Sequence, residues 1–176
     1  MIFTRIIETP IGNMIAGSTR DGICLLEYTD RKMLNTEYKL LTKYLGMELG
    51  EGSTDHIIKL FRQLTEYFDG KRKEFNVPLV LTGTDFQKQV WNELMRIPFG
   101  TTRSYTGQAE VVGGSSSVRA VANANGMNKI EIVIPCHRVI GENGHLTGYG
   151  GGLWRKKWLL DHEKKYSGQP VDLTIF

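Results

Sequence analysis

The feature that most constrains this chain is Ile132-Val133-Ile134-Pro135-Cys136-His137-Arg138-Val139. Three β-branched apolar residues in a row predict a buried strand, and Pro135 ends its hydrogen-bond ladder because proline has no N–H to donate. The residues after the proline are therefore expected to be presented rather than packed away. They are a thiol and an imidazole, a pair suited to making a nucleophile near neutral pH, with the fixed charge of Arg138 beside them. A free thiol titrates near roughly 8.5 and cationic neighbours lower that value, so the stretch reads as an activated cysteine; the bland alternative is a structural cysteine in the core.

Composition narrows the class. Apolar residues make up 40% of the 176 and charged residues 23%, the balance of a globular chain. No apolar run approaches the roughly 20 residues that cross a bilayer. Met1-Ile2-Phe3-Thr4-Arg5 has none of the basic, apolar and small-residue pattern of a secretory signal. Cys24 and Cys136 lie far apart and are expected to be reduced, so the reading is a cytoplasmic protein, nuclear if eukaryotic, with no membrane partner. A net charge of +3 does not announce nucleic-acid binding, but its distribution leans that way. Residues 1–83 hold 11 Lys and Arg against 11 Asp and Glu, whereas residues 84–165 hold 11 against 7, so the excess sits with Cys136.

The residue pattern changes at the same place, which predicts one domain over 1–83 and a second over 84–176. In the first, residues 2–8 and 14–19 read as strands around Thr9-Pro10-Ile11-Gly12-Asn13, and Asp21-Gly22 turns the chain into a third antiparallel strand, Ile23-Cys24-Leu25-Leu26-Glu27-Tyr28. Leu34, Tyr38, Leu41 and Leu45 have near-helical spacing that ends at Gly46. A flexible Gly50-Glu51-Gly52-Ser53 follows. Thr54-Asp55 then caps an amphipathic helix with Ile57, Leu60, Phe61, Leu64 and Phe68 on its apolar side and Gly70 at its end. Phe75 to Leu81, with Pro78 inside, is an edge strand or an extended linker. This half reads as scaffold, since Cys24 and His56 stand alone where a zinc site needs about four ligands.

In the second half Thr84-Asp85-Phe86-Gln87 is a capping box, opening a helix with Phe86, Val90, Trp91, Leu94 and Met95 on one stripe that Pro98 closes. A short helix over about 106–112, a Gly113-Gly114 turn and a helix capped by Ser115 or Ser116 and running to about residue 125 make a helix-turn-helix pattern, with Val118, Val121 and Ala122 inward. A plain pair of packed helices has the same spacing. The second helix carries small residues, Ser116, Ser117 and Ala120 among them, with one long cation, Arg119. That suits close, sequence-independent docking on a duplex with Arg119 reaching in, while the bland role of Arg119 is a surface salt bridge. Asn128 is either an ordinary turn residue or a brace for the cysteine strand. Gly148-Tyr149-Gly150-Gly151-Gly152 is a mobile or closely approached backbone, without the Lys-Ser/Thr ending of a phosphate loop. The last helix, from Leu153 to about Lys165, is expected to bury Trp154, Trp158 and Leu159, to show Arg155-Lys156-Lys157 to solvent, and to turn Asp161 or Glu163 toward His137.

From Thr84 to Glu163 these residues resemble the O6-alkylguanine-DNA alkyltransferases, a family of direct-reversal repair proteins. The resemblance rests on Phe86-Gln87 with Val90-Trp91, Ser104-Tyr105, Val118-Arg119-Ala120-Val121, Asn128, Ile134-Pro135-Cys136-His137-Arg138-Val139, Gly148-Tyr149 with Gly151-Gly152-Leu153, and Trp158-Leu159-Leu160 ending at His162-Glu163. It implies an α+β chain, with a small ribonuclease H-like β-sheet and helix domain followed by a mainly helical, winged helix-turn-helix-like domain. It also implies Cys136 as the acceptor thiolate, His137 acting through a bound water, Glu163 polarising His137, and Asn128 as the hinge. Arg119 is then the finger that fills the gap left by an extruded base, and Tyr105 the residue that pushes its phosphate and gives a proton to the guanine. Tyr149, Val139 and Gly150 would line the pocket, with Ser104, Ser116, Ser117 and Ala120 against the DNA. The implied partner is duplex DNA carrying O6-alkylguanine, with O4-alkylthymine a further candidate. The implied chain is a monomer with no cofactor, no metal and no obligate protein partner.

The chain departs from that pattern at Asn128-Lys129-Ile130-Glu131, where relatives commonly have proline directly after the asparagine, and in the serines of the recognition helix. Two other readings stand beside it. A damage-binding relative flips bases without transfer, but such proteins replace the acceptor cysteine. A Cys-His hydrolase would go on turning over after its burst.

Overall fold

The structure, a computed structural model, describes residues 1–113 and 117–168. The apolar alternation of the first residues builds a sheet of β1 (Ile2–Thr9), β2 (Gly12–Ser18), β3 (Ile23–Tyr28) and β4 (Leu49–Glu51), in the order β3-β2-β1-β4. The first three strands are antiparallel, with Ile7 opposite Met14 and Ala16 opposite Leu26. The stretch read as flexible, Gly50-Glu51, instead pairs in parallel with Phe3 and Thr4. α1 (Leu34–Leu45) ends at Gly46, whose φ of 62° is the left-handed cap that glycine adopts without strain. α2 (Asp55–Phe68) is capped by Thr54, whose hydroxyl accepts from the Ile57 amide at 3.2 Å. It turns Ile57, Leu60, Gln63, Leu64 and Tyr67 inward. Phe61, expected inward, is 52% exposed, because the buried face is centred on the line from Leu60 to Leu64 and Tyr67.

β3 lies at one end of the strand order yet all six of its residues are buried. Its open edge is covered twice. The linker after α2 gives one bridge, with the Ile23 amide donating to Pro78 at 2.8 Å and the Val80 amide donating to Ile23 at 2.8 Å. The segment before the cysteine gives the other, with Leu26 donating to Lys129 and Glu131 donating to Leu26, both at 2.8 Å. An edge that would otherwise invite pairing with another chain thus carries the loop that holds Cys136. Phe75 to Leu81 is the extended linker of the two alternatives, bridged to β3 at Leu79 and packing Val77 and Val80 on the sheet.

The second half is built from α3 (Asp85–Leu94), β5 (Arg103–Ser104), α4 (Tyr105–Val112), α5 (Val118–Gly126), a 3₁₀ turn (Cys136–Arg138), β6 (Val139–Ile140) and α6 (Leu153–Tyr166). Thr84 and Gln87 make the reciprocal capping box of α3. α3, α4 and α5 pack on one another. Trp91 locks them, 2% exposed, with its indole N–H donating to Ala124 of α5 at 2.9 Å and the Lys129 ammonium 5.3 Å from its ring. The cap of α5 is Ser117, whose hydroxyl accepts from the Ala120 amide at 3.0 Å. Ser115 and Ser116, the expected caps, lie outside the described residues. Val118 is exposed rather than inward, since it opens the first turn, and Val121, Ala124 and Asn125 form the buried face.

The predicted strand at Ile132 does not form. Residues 131–133 are turns, and Ile132 has a φ of 71°, a conformation that a β-branched residue adopts only when its surroundings impose it. Extended backbone resumes only at β6, which pairs in parallel with β5. In α6 Leu159 is buried, Trp158 packs on the core and Lys157 is exposed, as expected, but three neighbours are exchanged. Trp154 is 58% exposed, while Arg155 and Lys156 are buried, because both cations find acceptors inside. Arg155 donates to Asp30 at 2.7 and 2.9 Å and to Ile11 at 2.7 Å, and Lys156 to Thr147 at 3.0 Å and Gly148 at 3.2 Å. Among the described residues no helix is long and apolar enough to cross a membrane. Trp91→Ala should cost about 3–5 kcal/mol in urea unfolding, the usual penalty for truncating a buried Trp, with loss of the α3–α5 contact.

Candidate active site

Pro135 and the turn before it put Cys136 at the start of the 3₁₀ turn, with its thiol on the wall of a cavity of about 700 Å³. Tyr105 from α4, Arg119, Ala122 and Asn125 from α5, and Tyr149 and Gly150 from the glycine loop share that wall. The volume falls in the range of small-molecule sites. Cys136 is 7% exposed, so it is buried at the edge of the cavity rather than displayed. Asn128 fixes it from behind: its amide Nδ2 donates to Ile134 O at 2.9 Å and to Cys136 Sγ at 3.3 Å, while its Oδ1 accepts from the Ile130 amide at 2.9 Å. Of the two roles read for Asn128, the brace is the one its contacts match.

The thiol does not sit in the cationic surroundings that the sequence suggests. Burial, and after it the charge of Glu131, push Cys136 well above the usual thiol range, with the Asn128 hydrogen bond pulling the other way. Arg138 is directed elsewhere, donating through Nε to Glu163 Oε2 at 2.8 Å, through Nη2 to Glu163 Oε1 at 2.9 Å and through Nη1 to Ile97 O at 2.7 Å. Its charge is neutralised there. Glu163 accepts in addition from Tyr67 Oη at 2.8 Å, His137 Nε2 at 2.7 Å and the Gly100 amide at 3.2 Å. Asp161, the other carboxylate offered by α6, points outward to Lys157. Burial alone would raise the Glu163 carboxyl, but His137 and Arg138 outweigh it and hold the group far below the ordinary carboxylate range.

Because the carboxylate can only accept, His137 donates to it from Nε2, and Nδ1 keeps a lone pair. That Nδ1 is buried and has no partner among the described residues. Burial lowers the His137 pKa and the Glu163 charge opposes this, leaving the ring neutral and Nδ1 a base. His137 itself is fully buried.

The remaining predicted residues divide into those on the cavity and those behind it. Tyr105 donates its hydroxyl to Thr147 O at 2.9 Å across the mouth. Arg119 and Ala120 are exposed on α5. Ser104 caps α4, accepting from the Gly107 amide at 3.0 Å, and Ser117 caps α5, so both hydroxyls serve helix ends. Val139 is fully buried and its side chain forms no part of the wall. The glycine loop is the closely approached kind: a Cβ at Gly150 would lie 2.6 Å from the Arg31 guanidinium and one at Gly151 2.4 Å from the Tyr28 ring.

Several residues here are invisible or misleading in the sequence. Glu131 meets Cys136 directly, and it does carry a signal, a lone carboxylate inside an apolar run. Lys156 lies behind Tyr105 with its ammonium 5.6 Å from the ring and its pKa pushed down to about 8 by burial. Its spacing to Leu159 and Glu163 on the inward face could have found it. Asn125 is buried on the cavity wall with both amide atoms unpartnered among the described residues. Tyr28 and Arg31, from the half read as scaffold, have no local signal; Tyr28 Oη lies 3.0 Å from Tyr149 Oη. Cys24 is the inert cysteine, its thiol pushed up to about 12 by burial.

A cysteine thiol beside a cavity, set next to the packed helices α4 and α5 and backed by a small β-sheet, defines a DNA-alkyltransferase type of architecture. Comparison with known proteins agrees. Residues 85–165 match the 6-O-methylguanine DNA methyltransferase DNA binding domain, and residues 2–81 match the ribonuclease-like domain of the same proteins. The methylated-DNA–protein-cysteine methyltransferase of Mycolicibacterium paratuberculosis is 54% identical over 179 residues, covering 100% of this chain and 99% of the relative. The constitutive enzyme of that name from Bacillus subtilis is 41% identical over 165 residues, covering 89% and 92%. The crystal structure of Mycobacterium tuberculosis O6-methylguanine methyltransferase superimposes with a TM-score of 0.80 at 40% identity, covering 99% of this chain and 98% of that one. The OGT of the same organism in complex with DNA gives 0.81 at 38%, covering 97% of each. The chain belongs to the O6-methylguanine-DNA methyltransferase family.

Glu163 contributes stability because its folded pKa is depressed. That contribution is whole above the unfolded carboxylate value of roughly 4.3 and is lost as pH falls toward the folded one. Glu163→Gln, which strands the buried Arg138, should cost about 3–5 kcal/mol in urea unfolding near neutrality, with the gap from wild type shrinking as the medium is acidified.

Proposed function

We propose that Cys136 receives the alkyl group, and that the residues around the cavity divide the remaining work. The protein repairs DNA by moving the methyl group of O6-methylguanine onto a cysteine of its own, the reaction of a methylated-DNA–protein-cysteine methyltransferase. It binds DNA. The observation that carries the assignment is Cys136 on the wall of a cavity of about 700 Å³, ample for a purine, shared with Tyr105 and Arg119.

The chemistry follows from these groups. Sulfur, as thiolate, displaces guanine from the alkyl carbon in one SN2 step, and the product is a thioether. Neither water nor a thiol finds a carbonyl or a sulfur–sulfur bond to attack there, so each molecule acts once. The target nucleotide leaves the stack, at a cost of a few kcal/mol that a damaged, poorly paired base reduces. Arg119, exposed on α5, fills the gap in the duplex, and the small Ala120 lets the helix approach. Ser104 and Ser117 set the ends of α4 and α5 toward phosphate, and Ser116 lies beside Ser117 in the chain. Tyr105 pushes the phosphate and gives guanine its proton. Tyr149 and the backbone at Gly150 and Val139 hold the base. His137, oriented by Glu163, works through a water at Nδ1, and Asn128 keeps the cysteine loop in register. The partner is duplex DNA carrying O6-alkylguanine, with O4-alkylthymine a further substrate. The chain acts as a monomer without cofactor, in the cytoplasm, with its halves meeting at about residues 83 and 84.

Incubation with a duplex containing O6-methylguanine should add one methyl group per molecule, found on the Cys136 peptide by mass spectrometry, and Cys136→Ser should add none. An unmodified Cys136 beside restored guanine would overturn the assignment. Arg119→Ala should slow transfer from duplex DNA about tenfold or more while leaving reaction with free O6-alkylguanine near wild type, because only the duplex demands flipping.

A further inference from the structure

The sulfur of Cys136 has two hydrogen-bond partners of opposite kind. It accepts from Asn128 Nδ2, and it donates its own proton to Glu131 Oε2 at 3.3 Å. Among the described residues, Glu131 is the one carboxylate in hydrogen-bond contact with the thiol, and His137 makes no hydrogen bond to it. Resting on the reading that Cys136 is the acceptor, we propose that Glu131 is a catalytic residue of the transfer, the base that takes the thiol proton directly as sulfur attacks.

The surroundings of Glu131 suit that task. It is 1% exposed, so no bulk water competes for the thiol proton. Arg31 Nη1 lies 3.4 Å from Glu131 Oε1, and the same guanidinium pairs with Glu27 and, at 3.2 Å, with Glu37. Three buried carboxylates share that guanidinium, with the Lys129 ammonium acting on Glu37 as well, and such crowding raises their carboxyls. Glu27, on β3, is pushed up to about 9 by burial and then by Glu131, with Arg31 pulling it down. Glu131 is pushed up to about 7, first by burial, with Arg31 and the hydrogen bonds from Cys136 and Tyr149 pulling it down and Glu37 pushing it up. A base is most effective when it titrates near the working pH. The other titratable groups facing the site are Tyr28, whose pKa Glu131 raises, and Lys156 of α6, whose ammonium Glu131 and Cys136 favour.

The step balances. The S–H bond breaks toward Glu131 Oε2 and its electron pair stays on sulfur. Sulfur forms the bond to the alkyl carbon as the C–O6 bond breaks, and that pair stays on guanine. Guanine takes one proton from the Tyr105 hydroxyl, and the proton on Glu131 replaces it through solvent.

Two roles for Glu131 predict opposite results. As a mere negative neighbour it hinders thiol ionisation, so Glu131→Gln would speed transfer. As the base it is required, so Glu131→Gln should slow single-turnover transfer near neutrality by about 10²-fold or more, with affinity for duplex DNA unchanged. The wild-type protein separates the two roles without a variant. Its rate should rise through the titration of Glu131 and then level off, whereas a thiol that loses its proton to solvent would keep gaining rate well past its ordinary value of roughly 8.5. Faster transfer by Glu131→Gln, or a wild-type rate that never levels, overturns the proposal. Alkylation of Cys136 by iodoacetamide repeats both comparisons without DNA, so a protein inert toward methylated DNA would sink the repair reading and still leave the role of Glu131 tested.

Discussion

Two backbone hydrogen bonds between Leu26 and the segment from Lys129 to Glu131 join the halves of this protein, and the state of Cys136 depends on them. A strand edge offers donors and acceptors in a fixed row, so whatever pairs with it is held in register. Here the row of β3 seizes the cysteine loop just after Asn128. With one end pinned to the sheet and the other tied by Asn128 to Ile134, the backbone is forced through a left-handed Ile132, and the thiol arrives at the cavity rather than in a strand. The same docking brings Arg31 and Glu27 within reach of Glu131.

Two buried carboxylates then take different roles because their partners differ. Glu163 accepts from five donors on four residues, two of them nitrogens of a guanidinium, and it stays ionised wherever the protein is folded near neutrality. It is a fixed anchor for His137 and Arg138. Glu131 shares one guanidinium with two further acids and touches the sulfur, so burial wins and its carboxyl is pushed up. Burial raises both groups; the number and charge of the donors separates them.

Cation placement in α6 follows the same rule. Lys156 and Arg155 are buried because carbonyls of the glycine loop and Ile11 and the carboxylate of Asp30 accept from them. Arg155 stacks 4.2 Å from the Tyr28 ring, which carries Tyr149 on its hydroxyl, so the helix, the sheet and the glycine loop share one junction. A long polar side chain is buried cheaply only where such acceptors already exist.

Local sequence determined the helices with caps and glycine stops, the three antiparallel strands, and the placing of a thiol next to an imidazole directly after a proline. These are set by neighbours in the chain: Thr84 caps because Gln87 is three residues on, and Cys136 follows Pro135 whatever the fold. Tertiary structure alone decided that Ile132 would turn instead of extend, that Arg138 would face Glu163 and leave the thiol protonated, and that residues of the supposed scaffold would reach the site. Those outcomes depend on which strand edge is free, how deeply a charge is buried and what lies across from it, and none of these is a property of adjacent residues.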